Sequence, residues 1–354
     1  MTYSLEINKL ISQKLLLTRQ KNERLTELKK EIFFKQNPRA KIISQNLQKL
    51  LFKTAQNILI NNKKEVEILK QEHINLNKEL TEILIKNNLP TDFFNIKYSC
   101  EICADTGISK TTGKICLCAK KMQREEALKI FLNSSMLNSA SAKKNTFEEF
   151  SLCFYSHTVT CMIRNQELTE FNIMKETYNK CVDYAKNFDL HSENLLLIGK
   201  TGLGKTHLSI SIAKAVIQRG YEVVYISSPN MISILNQEEF PNKKINKNPE
   251  NVYKNNNYFN QEKFINCDLL VIDDLGTEFK TSFSACLIYN LINSRILKGV
   301  PSIINTNVSL KKIEELYGDR LISRFIGHYR KLNFVGSDIR QQKVKLNNNN
   351  PIVY

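Results

Sequence analysis

Helical spacing of apolar residues dominates the first 95 positions, which contain almost no glycine. Residues 5–34 predict a first helix that ends before Pro38, and residues 64–86 predict another. In the second helix the apolar face advances by alternating steps of four and three, as in the seam of a short coiled-coil-like hairpin. The seam positions are Leu69, His73, Leu76, Leu80 and Ile83. We therefore predict a helical N-terminal domain over residues 1–95.

Farther along, the apolar pattern changes from periodic to continuous. Residues 194–198, 269–272 and 301–305 are short and largely apolar runs, which is typical of strands buried on both faces of a parallel sheet. Residues 221–226 predict a further strand. Strands that alternate with helical stretches indicate an α/β domain with helices on both faces of the sheet.

Four other stretches complete the pattern. Helical periodicity covers residues 120–132 and residues 162–187, ahead of the first apolar run. Residues 241–260 are rich in Asn and Lys and low in apolar content, which predicts an exposed insertion. The Asn-rich end, residues 346–354, predicts a disordered tail.

A glycine-rich segment directly follows the apolar run 194–198 and opens a helix over residues 205–219. It fits the phosphate-loop pattern G-x-x-x-x-G-K-[ST] at every defined position. The glycines let backbone N–H groups turn toward phosphate oxygens, and the helix N-terminus adds its dipole. Lys205 can reach the β- and γ-phosphates of ATP, and the Thr206 hydroxyl can ligate Mg²⁺. The loop is Gly199, Lys200, Thr201, Gly202, Leu203, Gly204, Lys205 and Thr206.

Two acids end the apolar run 269–272, where ligands of parallel sheets bind. We expect Asp273 to hold Mg²⁺ together with Thr206, and Asp274 to orient and deprotonate the attacking water. The next strand ends before Asn307, which is the candidate for sensing phosphate and positioning that water. The alternative for each residue is a structural role, as a helix cap or a loop side chain.

Arginines are concentrated toward the end of a chain whose basic residues are mostly lysine. The planar guanidinium suits bidentate phosphate contacts, and an arginine from a neighbouring subunit can stabilise transition-state charge. Arg324 is the first candidate for that role and Arg320 the second, with a surface salt bridge as the alternative. Arg340 is a candidate for contacting nucleotide within its own subunit.

A cluster of four cysteines precedes the α/β region: Cys100, Cys103, Cys116 and Cys118. Two close pairs joined by a turn-rich segment of a dozen residues can surround one tetrahedral Zn²⁺. An iron–sulfur cluster and free thiols are the alternatives. Four thiolate ligands leave no open coordination position, so we expect a structural metal. The other cysteines are scattered, as expected of packing residues.

Charge and hydropathy narrow the function further. The formal net charge of +16, from 51 basic and 35 acidic residues, favours a polyanionic partner such as nucleic acid. The same bias toward Lys, Asn and Ile is also typical of AT-rich genomes. No signal peptide and no apolar run of membrane-spanning length is visible, so we expect a soluble, cytoplasmic protein that makes no membrane contact.

The ordered set of motifs resembles the AAA+ bacterial replicative-helicase loaders of the DnaC/DnaI type. The resemblance covers residues 95–343, and the cysteine segment is similar to the zinc-containing region of the Gram-positive members. It implies an AAA+ ATPase that uses ATP, Mg²⁺ and Zn²⁺, self-associates through its ATPase domain, docks a hexameric replicative DNA helicase through its N-terminal domain and helps place it on single-stranded DNA. The implied organisation is a helical domain (1–95), a zinc knuckle (96–120), a linker (121–160), the AAA+ domain (161–345) and the tail (346–354).

One departure from the wider AAA+ pattern concerns catalysis. The second acid is Asp274 instead of glutamate, so it reaches less far toward water, and we expect slow, switch-like hydrolysis. The competing functions are a transposition helper ATPase, for which the cysteine knuckle is unnecessary, and a zinc-containing nucleic-acid-binding protein with a structural ATP site. A replication initiator would need a double-strand-reading domain after Arg340, for which we expect no room.

Overall fold

The chain folds into two compact units, residues 8–122 and residues 123–354 together with residues 1–7. This organisation is seen in a computed structural model, and the unit 8–122 contains most of the predicted helical domain together with the predicted cysteine knuckle. The structure describes residues 5–134, 144–163, 166–239, 260–279 and 281–349.

The unit 8–122 is built on helices. Its core lies mainly between α2 and α3, where Ile43 and Leu47 pack with Leu80 and Leu84. The predicted seam is therefore the inner face of a helical hairpin. The helix α2 is an addition to the predicted elements: Pro38 occupies its first turn, where a missing N–H leaves no helical bond unmade. The helices are α1 (Leu5–Gln36), α2 (Pro38–Leu59) and α3 (Lys63–Lys86); α4 (Leu117–Ser134) begins in this unit and continues into the larger one.

The larger unit contains a five-stranded sheet in the order β4-β5-β6-β3-β7, with every neighbouring pair parallel. This confirms the predicted α/β class. Its elements are β1 (Thr160–Ile163), β2 (Gln166–Thr169), α5 (Glu170–Asn187), β3 (Asn194–Ile198), α6 (Lys205–Gln218), β4 (Val223–Ser227), α7 (Ser228–Glu239), α8 (Gln261–Asn266), β5 (Leu269–Leu275), α9 (Ser282–Lys298), β6 (Ser302–Thr306), α10 (Leu310–Tyr317), α11 (Asp319–His328), β7 (Tyr329–Asn333) and α12 (Ile339–Asn349).

Helices cover both faces of this sheet. Successive strand residues point to opposite sides, so a continuous apolar strand exposes apolar side chains on both faces unless helices pack there. On one face Leu195 and Val271 pack against α5 and α6. On the other face Leu196 and Ile272 pack against α7, α9 and α11. The central strands β5 and β6 are apolar over most of their length, which explains their continuous apolar sequence pattern.

Two predicted segments differ from the structure, and a third lies almost entirely outside the described residues. The helix predicted over residues 162–187 is wrong in its first part, where β1 and β2 form an antiparallel hairpin. Thr169 then caps α5 by accepting a hydrogen bond from the Asn172 N–H. Residues 346–349, predicted as disordered, continue α12, because extending an existing helix is far easier than nucleating one. Nearly all of the predicted insertion 241–260, and residues 350–354, lie outside the described residues.

Candidate functional site

The glycine-rich loop connects β3 to the N-terminus of α6, as its sequence predicts. Gly202 and Gly204 have φ values of +76° and +86°, a left-handed region that favours glycine. Three residues pack closely against the loop glycines: Phe334 against Gly199, Asp338 against Gly202, and Phe150 against Gly204. The loop is thus held in its turned shape by packing as well as by its own sequence.

Lys205 lies at the start of α6 and is buried. Its ammonium group donates to the carbonyl oxygens of Gly199 at 2.6 Å and Lys200 at 2.8 Å. Burial lowers the pKa of Lys205, and the carboxylates of Asp274 and Asp273 oppose that shift. The arrangement holds a desolvated cation beside the loop, where an anionic phosphate would compensate its burial.

Asp273 lies at the carboxyl end of β5, opposite the first turn of α6. Its Oδ2 is 3.1 Å from the Thr206 hydroxyl, which donates to it. Two adjacent ligands of octahedral Mg²⁺, each bound at about 2.0–2.1 Å, are roughly 3 Å apart. The two predicted magnesium ligands are therefore brought together at a separation that fits the ion.

Two further side chains contact Asp273, and the sequence reasoning missed both. The Tyr225 hydroxyl donates to Oδ2 at 2.5 Å, and the Asn305 amide donates to Oδ1 at 2.8 Å. Tyr225 lies on β4 and Asn305 on β6, the two strands that flank β5. The sequence feature that could have identified them is a polar residue inside an apolar strand, because a buried polar side chain is normally hydrogen-bonded to a partner.

Asp274 follows at the mouth of the site and is exposed. Its φ of +55° is unusual for a residue with a side chain. Desolvation raises the pKa of Asp274, the neighbouring Asp273 raises it further, and Lys205 and Arg340 oppose the shift. A carboxylate of raised basicity near a phosphate-binding loop suits a general base.

The remaining predicted residues are distributed unevenly. Arg340, on α12, lines the same cavity as the loop. Arg324 is half-buried and donates to the Asn293 amide oxygen, and Arg320 is exposed. Neither arginine of α11 is among the residues that line the cavity, nor is the half-buried Asn307, which follows β6.

A different arginine proves structural. Arg295 is fully buried and donates to the backbone oxygens of Phe264, Cys267 and Pro301 at 2.6–3.0 Å. It also donates to the Ser302 hydroxyl. These bonds tie α9 to the starts of β5 and β6, so this guanidinium stabilises the sheet.

An open cavity of about 480 Å³ extends from the loop toward the segment before β1. Phe150, His207 and Ile339 form part of its wall. Burial lowers the pKa of His207, although its contact with the Thr146 carbonyl oxygen at 2.7 Å opposes the shift. Aromatic side chains beside a phosphate loop are suited to contact a planar heterocyclic base.

The four predicted zinc ligands converge in the unit 8–122. The sulfur atoms of Cys100, Cys103, Cys116 and Cys118 all lie within 4.8 Å of one another. The sulfurs of Cys100 and Cys116 are 3.7 Å apart, and those of Cys103 and Cys118 are 3.4 Å apart. Sulfurs bound tetrahedrally to Zn²⁺ at about 2.3 Å are roughly 3.8 Å apart. The sulfur geometry therefore fits zinc.

A buried carboxylate organises the cysteine loop. Asp105 accepts from the backbone N–H of Cys100 at 2.8 Å and of Ser99 at 3.0 Å. It also accepts from the Asn22 amide at 2.9 Å. These three bonds fix the turn that carries the first cysteine pair, and Asp105 was not predicted from the sequence.

No helix in the described parts of the chain is both long enough and apolar enough to cross a membrane.

Comparison with known proteins identifies the domain that carries this site. The family described as IstB-like ATP binding protein matches residues 158–346, more than half of the chain. The replicative helicase loader DnaC of Buchnera aphidicola subsp. Baizongia pistaciae is 24% identical over 168 residues, which are 45% of this chain and 63% of the relative. A putative ATP-binding protein of insertion sequence IS5376 from Geobacillus stearothermophilus is 27% identical over 159 residues, 44% of this chain and 58% of that protein.

Among solved structures, a crystal structure of the DnaC helicase loader covers 56% of this chain and 100% of its own, with 17% identity and a TM-score of 0.42. The chain thus spans less than two thirds of the length of either sequence relative.

Proposed function

Because this chain belongs to the IstB-like ATP binding protein family, we propose that it is an ATPase that loads the replicative DNA helicase onto single-stranded DNA. The proposal has two parts: an ATP switch in the larger unit, and a helicase-docking role for the helical and cysteine-bearing unit. Each part is supported by different residues.

In the switch, ATP lies with its phosphates on the loop 199–206 and its base in the cavity near Phe150. Lys205 exchanges its two carbonyl partners for the phosphates. Thr206 and Asp273 would hold Mg²⁺, which would supply positive charge to offset that of the phosphates. Arg340 contacts the nucleotide from α12.

Hydrolysis needs a base and a water-positioning group. Asp274 takes the proton of the attacking water, and Asn307 orients that water near the γ-phosphate. Aspartate is one methylene shorter than glutamate, so the base stands farther from the water and turnover is slow. Arg324, with Arg320 as the second candidate, completes the site of a neighbouring subunit, which makes hydrolysis depend on self-association.

One observation carries the choice of a loader. The ATPase unit is joined to a unit in which four cysteines converge on a zinc-sized site. A transposition helper has no need of this knuckle, whereas the Gram-positive loaders that the chain resembles carry one. We therefore assign Zn²⁺ to Cys100, Cys103, Cys116 and Cys118, and helicase docking to the N-terminal helices.

Single-stranded DNA is the third proposed partner. The net charge of +16 favours phosphate contacts. Such contacts release counterions, so DNA affinity should fall steeply as salt rises. A DNA affinity that does not change with salt concentration would show that the basic composition reflects only the amino-acid bias of an AT-rich genome.

The deciding experiment uses the full-length chain as bait in an extract of the source organism, with and without ATP, and identifies captured proteins by mass spectrometry. We expect a hexameric replicative helicase with the wild-type chain. The Lys205→Ala variant should lose the ATP-dependent part of that capture, and Lys312→Ala, which removes an exposed lysine paired with Glu315, should not.

The second candidate function is that of a transposition helper, which the match to insertion-sequence ATP-binding proteins favours. Recovery of a transposase in place of the helicase would establish it and would overturn the loader. Recovery of neither protein would overturn both partner assignments and leave the nucleotide site to be tested alone.

A further inference from the structure

Asp273 is held from both sides by the strands that neighbour its own. Its strand β5 lies between β4 and β6, so side chains from both can reach the end of β5. In the parallel register Tyr225 is level with Val271, two residues before Asp273. Alternation along the strands then places Tyr225, Asp273 and Asn305 on the face covered by α6.

The contacts are short and fully enclosed. Tyr225 is 3% exposed and Asn305 is completely buried, and Asp273 itself is buried. The Tyr225 hydroxyl binds Oδ2 at 2.5 Å while the Asn305 amide binds Oδ1 at 2.8 Å. Each carboxylate oxygen therefore has its own donor, and the carboxylate cannot rotate without breaking a buried hydrogen bond.

In this orientation the Asp273 carboxylate also accepts a hydrogen bond from Thr206. The oxygen that accepts from Tyr225 also accepts from the Thr206 hydroxyl at 3.1 Å. The Asn305 amide additionally donates to Ser209 on α6 at 2.8 Å, so it links β6 to the helix that carries Thr206. The two side chains thus fix both the carboxylate and its distance from the neighbouring hydroxyl.

We propose that Tyr225 and Asn305 are positioning residues that hold Asp273 in the orientation required for nucleotide-bound Mg²⁺. Tyr225 is the more informative of the two, since removal of its hydroxyl leaves the ring and its packing in place. The inference rests on the proposed ATP site and adds residues that neither the loop nor the acid motif contains.

The Tyr225 hydroxyl donates a hydrogen bond to Oδ2 of Asp273. Without that donor, one oxygen of Asp273 has Thr206 as its remaining side-chain partner, and the carboxylate gains freedom to rotate. Mg²⁺ binding should weaken, whereas contacts of the phosphates with Lys205 should persist.

The test is a Mg²⁺ titration of full-length protein bound to a fluorescent, non-hydrolysable ATP analogue, compared between wild type and Tyr225→Phe. We expect the Mg²⁺ concentration at half-saturation to rise about tenfold, equivalent to about 1.4 kcal/mol. Affinity for the analogue in EDTA should change by less than about twofold, because a merely structural defect would weaken both measurements.

The matched control is Tyr184→Phe, which also removes a buried hydroxyl, one without a hydrogen-bond partner among the described residues. It should leave both measurements at wild-type values. Unchanged Mg²⁺ half-saturation in Tyr225→Phe, with Mg²⁺-dependent binding in wild type, would overturn the positioning role and leave the proposed function intact. A wild-type chain that binds the analogue without any Mg²⁺ dependence, or not at all, would overturn both.

Discussion

The backbone N–H of Ile339 donates to the carbonyl oxygen of Gly202 at 3.1 Å. This bond joins the first residue of α12 to the middle of the phosphate-binding loop. The next residue of α12 is Arg340, so the proposed nucleotide-contacting arginine is placed by the loop that it serves. Asp338 strengthens the junction by accepting from the Arg340 N–H at 2.8 Å.

The substitution Gly202→Ala should break this junction. An added Cβ would lie 2.0 Å from Oδ1 of Asp338, which cannot move away without losing its bond to Arg340. We expect a loss of at least about 2 kcal/mol of unfolding free energy, since the left-handed φ alone costs an alanine about 1–2 kcal/mol. Thermal or urea unfolding measures the loss, and ATP affinity should fall with it.

Gly299→Ala is the matched control for that experiment. Gly299 also has a positive φ, +68°, but a Cβ there meets no atom within 4 Å. It should cost only the backbone strain of about 1–2 kcal/mol, less than Gly202→Ala, and leave ATP binding unchanged. Equal losses in the two variants would show that the Asp338 contact is unimportant.

The substitution Asp274→Asn should separate ATP binding from hydrolysis. An amide cannot accept the proton of the attacking water, whereas asparagine tolerates the left-handed φ of +55° better than most residues do. We expect turnover to fall by at least about a hundredfold with ATP affinity nearly unchanged. Turnover at the wild-type rate would remove Asp274 from the role of base.

The same variant predicts a pH dependence of stability. Although Asp274 is exposed as a whole residue, partial desolvation of its carboxyl group raises its pKa in the folded protein, and Asp273 raises it further. The stability gained from its protonated form is therefore present below the unfolded-state pKa and lost as the pH rises through the folded-state pKa. Without nucleotide, Asp274→Asn should melt at a higher temperature than wild type at neutral pH, and the difference should shrink as the pH falls toward 4.

The substitution Arg324→Ala tests action between subunits. Arg324 lies on α11, is half-buried and does not line the cavity of its own subunit. We expect ATP binding to be preserved and the concentration-dependent part of turnover to be lost. Arg330→Ala, which removes an exposed arginine paired with Glu193, is the control. Equal loss of turnover at all protein concentrations would place Arg324 in its own subunit's site.

The substitution Cys103→Ser tests the metal site without using ATPase activity. Metal analysis should find one Zn²⁺ per wild-type chain and a large loss in the variant. The N-terminal unit should unfold at lower temperature, because structural zinc contributes about 10–16 kcal/mol in small domains. Cys286→Ser, at an exposed cysteine of α9, should retain the metal. Iron with visible absorbance in place of zinc would establish the iron–sulfur alternative.

The sequence predicts those parts of the site that are formed by residues close together along the chain. The phosphate loop, the acids after β5 and the close cysteine pairs are local patterns, since glycine φ values and ligand spacing are set within a few positions. Tyr225 and Asn305 could not be recognised in the same way. Their partner is Asp273, and only the strand order β4-β5-β6 brings the three side chains together.

Reliance on local sequence patterns also explains why some predicted elements were wrong. Pro38 predicts an interruption and indeed separates α1 from α2, but the first turn of a helix accepts proline. The stretch 162–187 has helical composition throughout, and its short hairpin depends on β1 pairing with β2, a contact that helical periodicity cannot represent. At Pro38 the position of the residue within its helix decides the structure, and in the hairpin the pairing of two strands does. In both segments this effect outweighs the average preference of the residues for one secondary structure.

The cavity beside the phosphate loop is bordered by Phe150 and Phe154, which precede β1, and by Ile339, Arg340 and Lys343 of α12. A nucleotide that touches both borders acts as a removable cross-link between distant parts of the chain. At a concentration a hundred times its dissociation constant, such a ligand adds about 2.7 kcal/mol to the unfolding free energy. The resistance of this domain to heat and proteolysis should therefore follow the ATP supply of its surroundings.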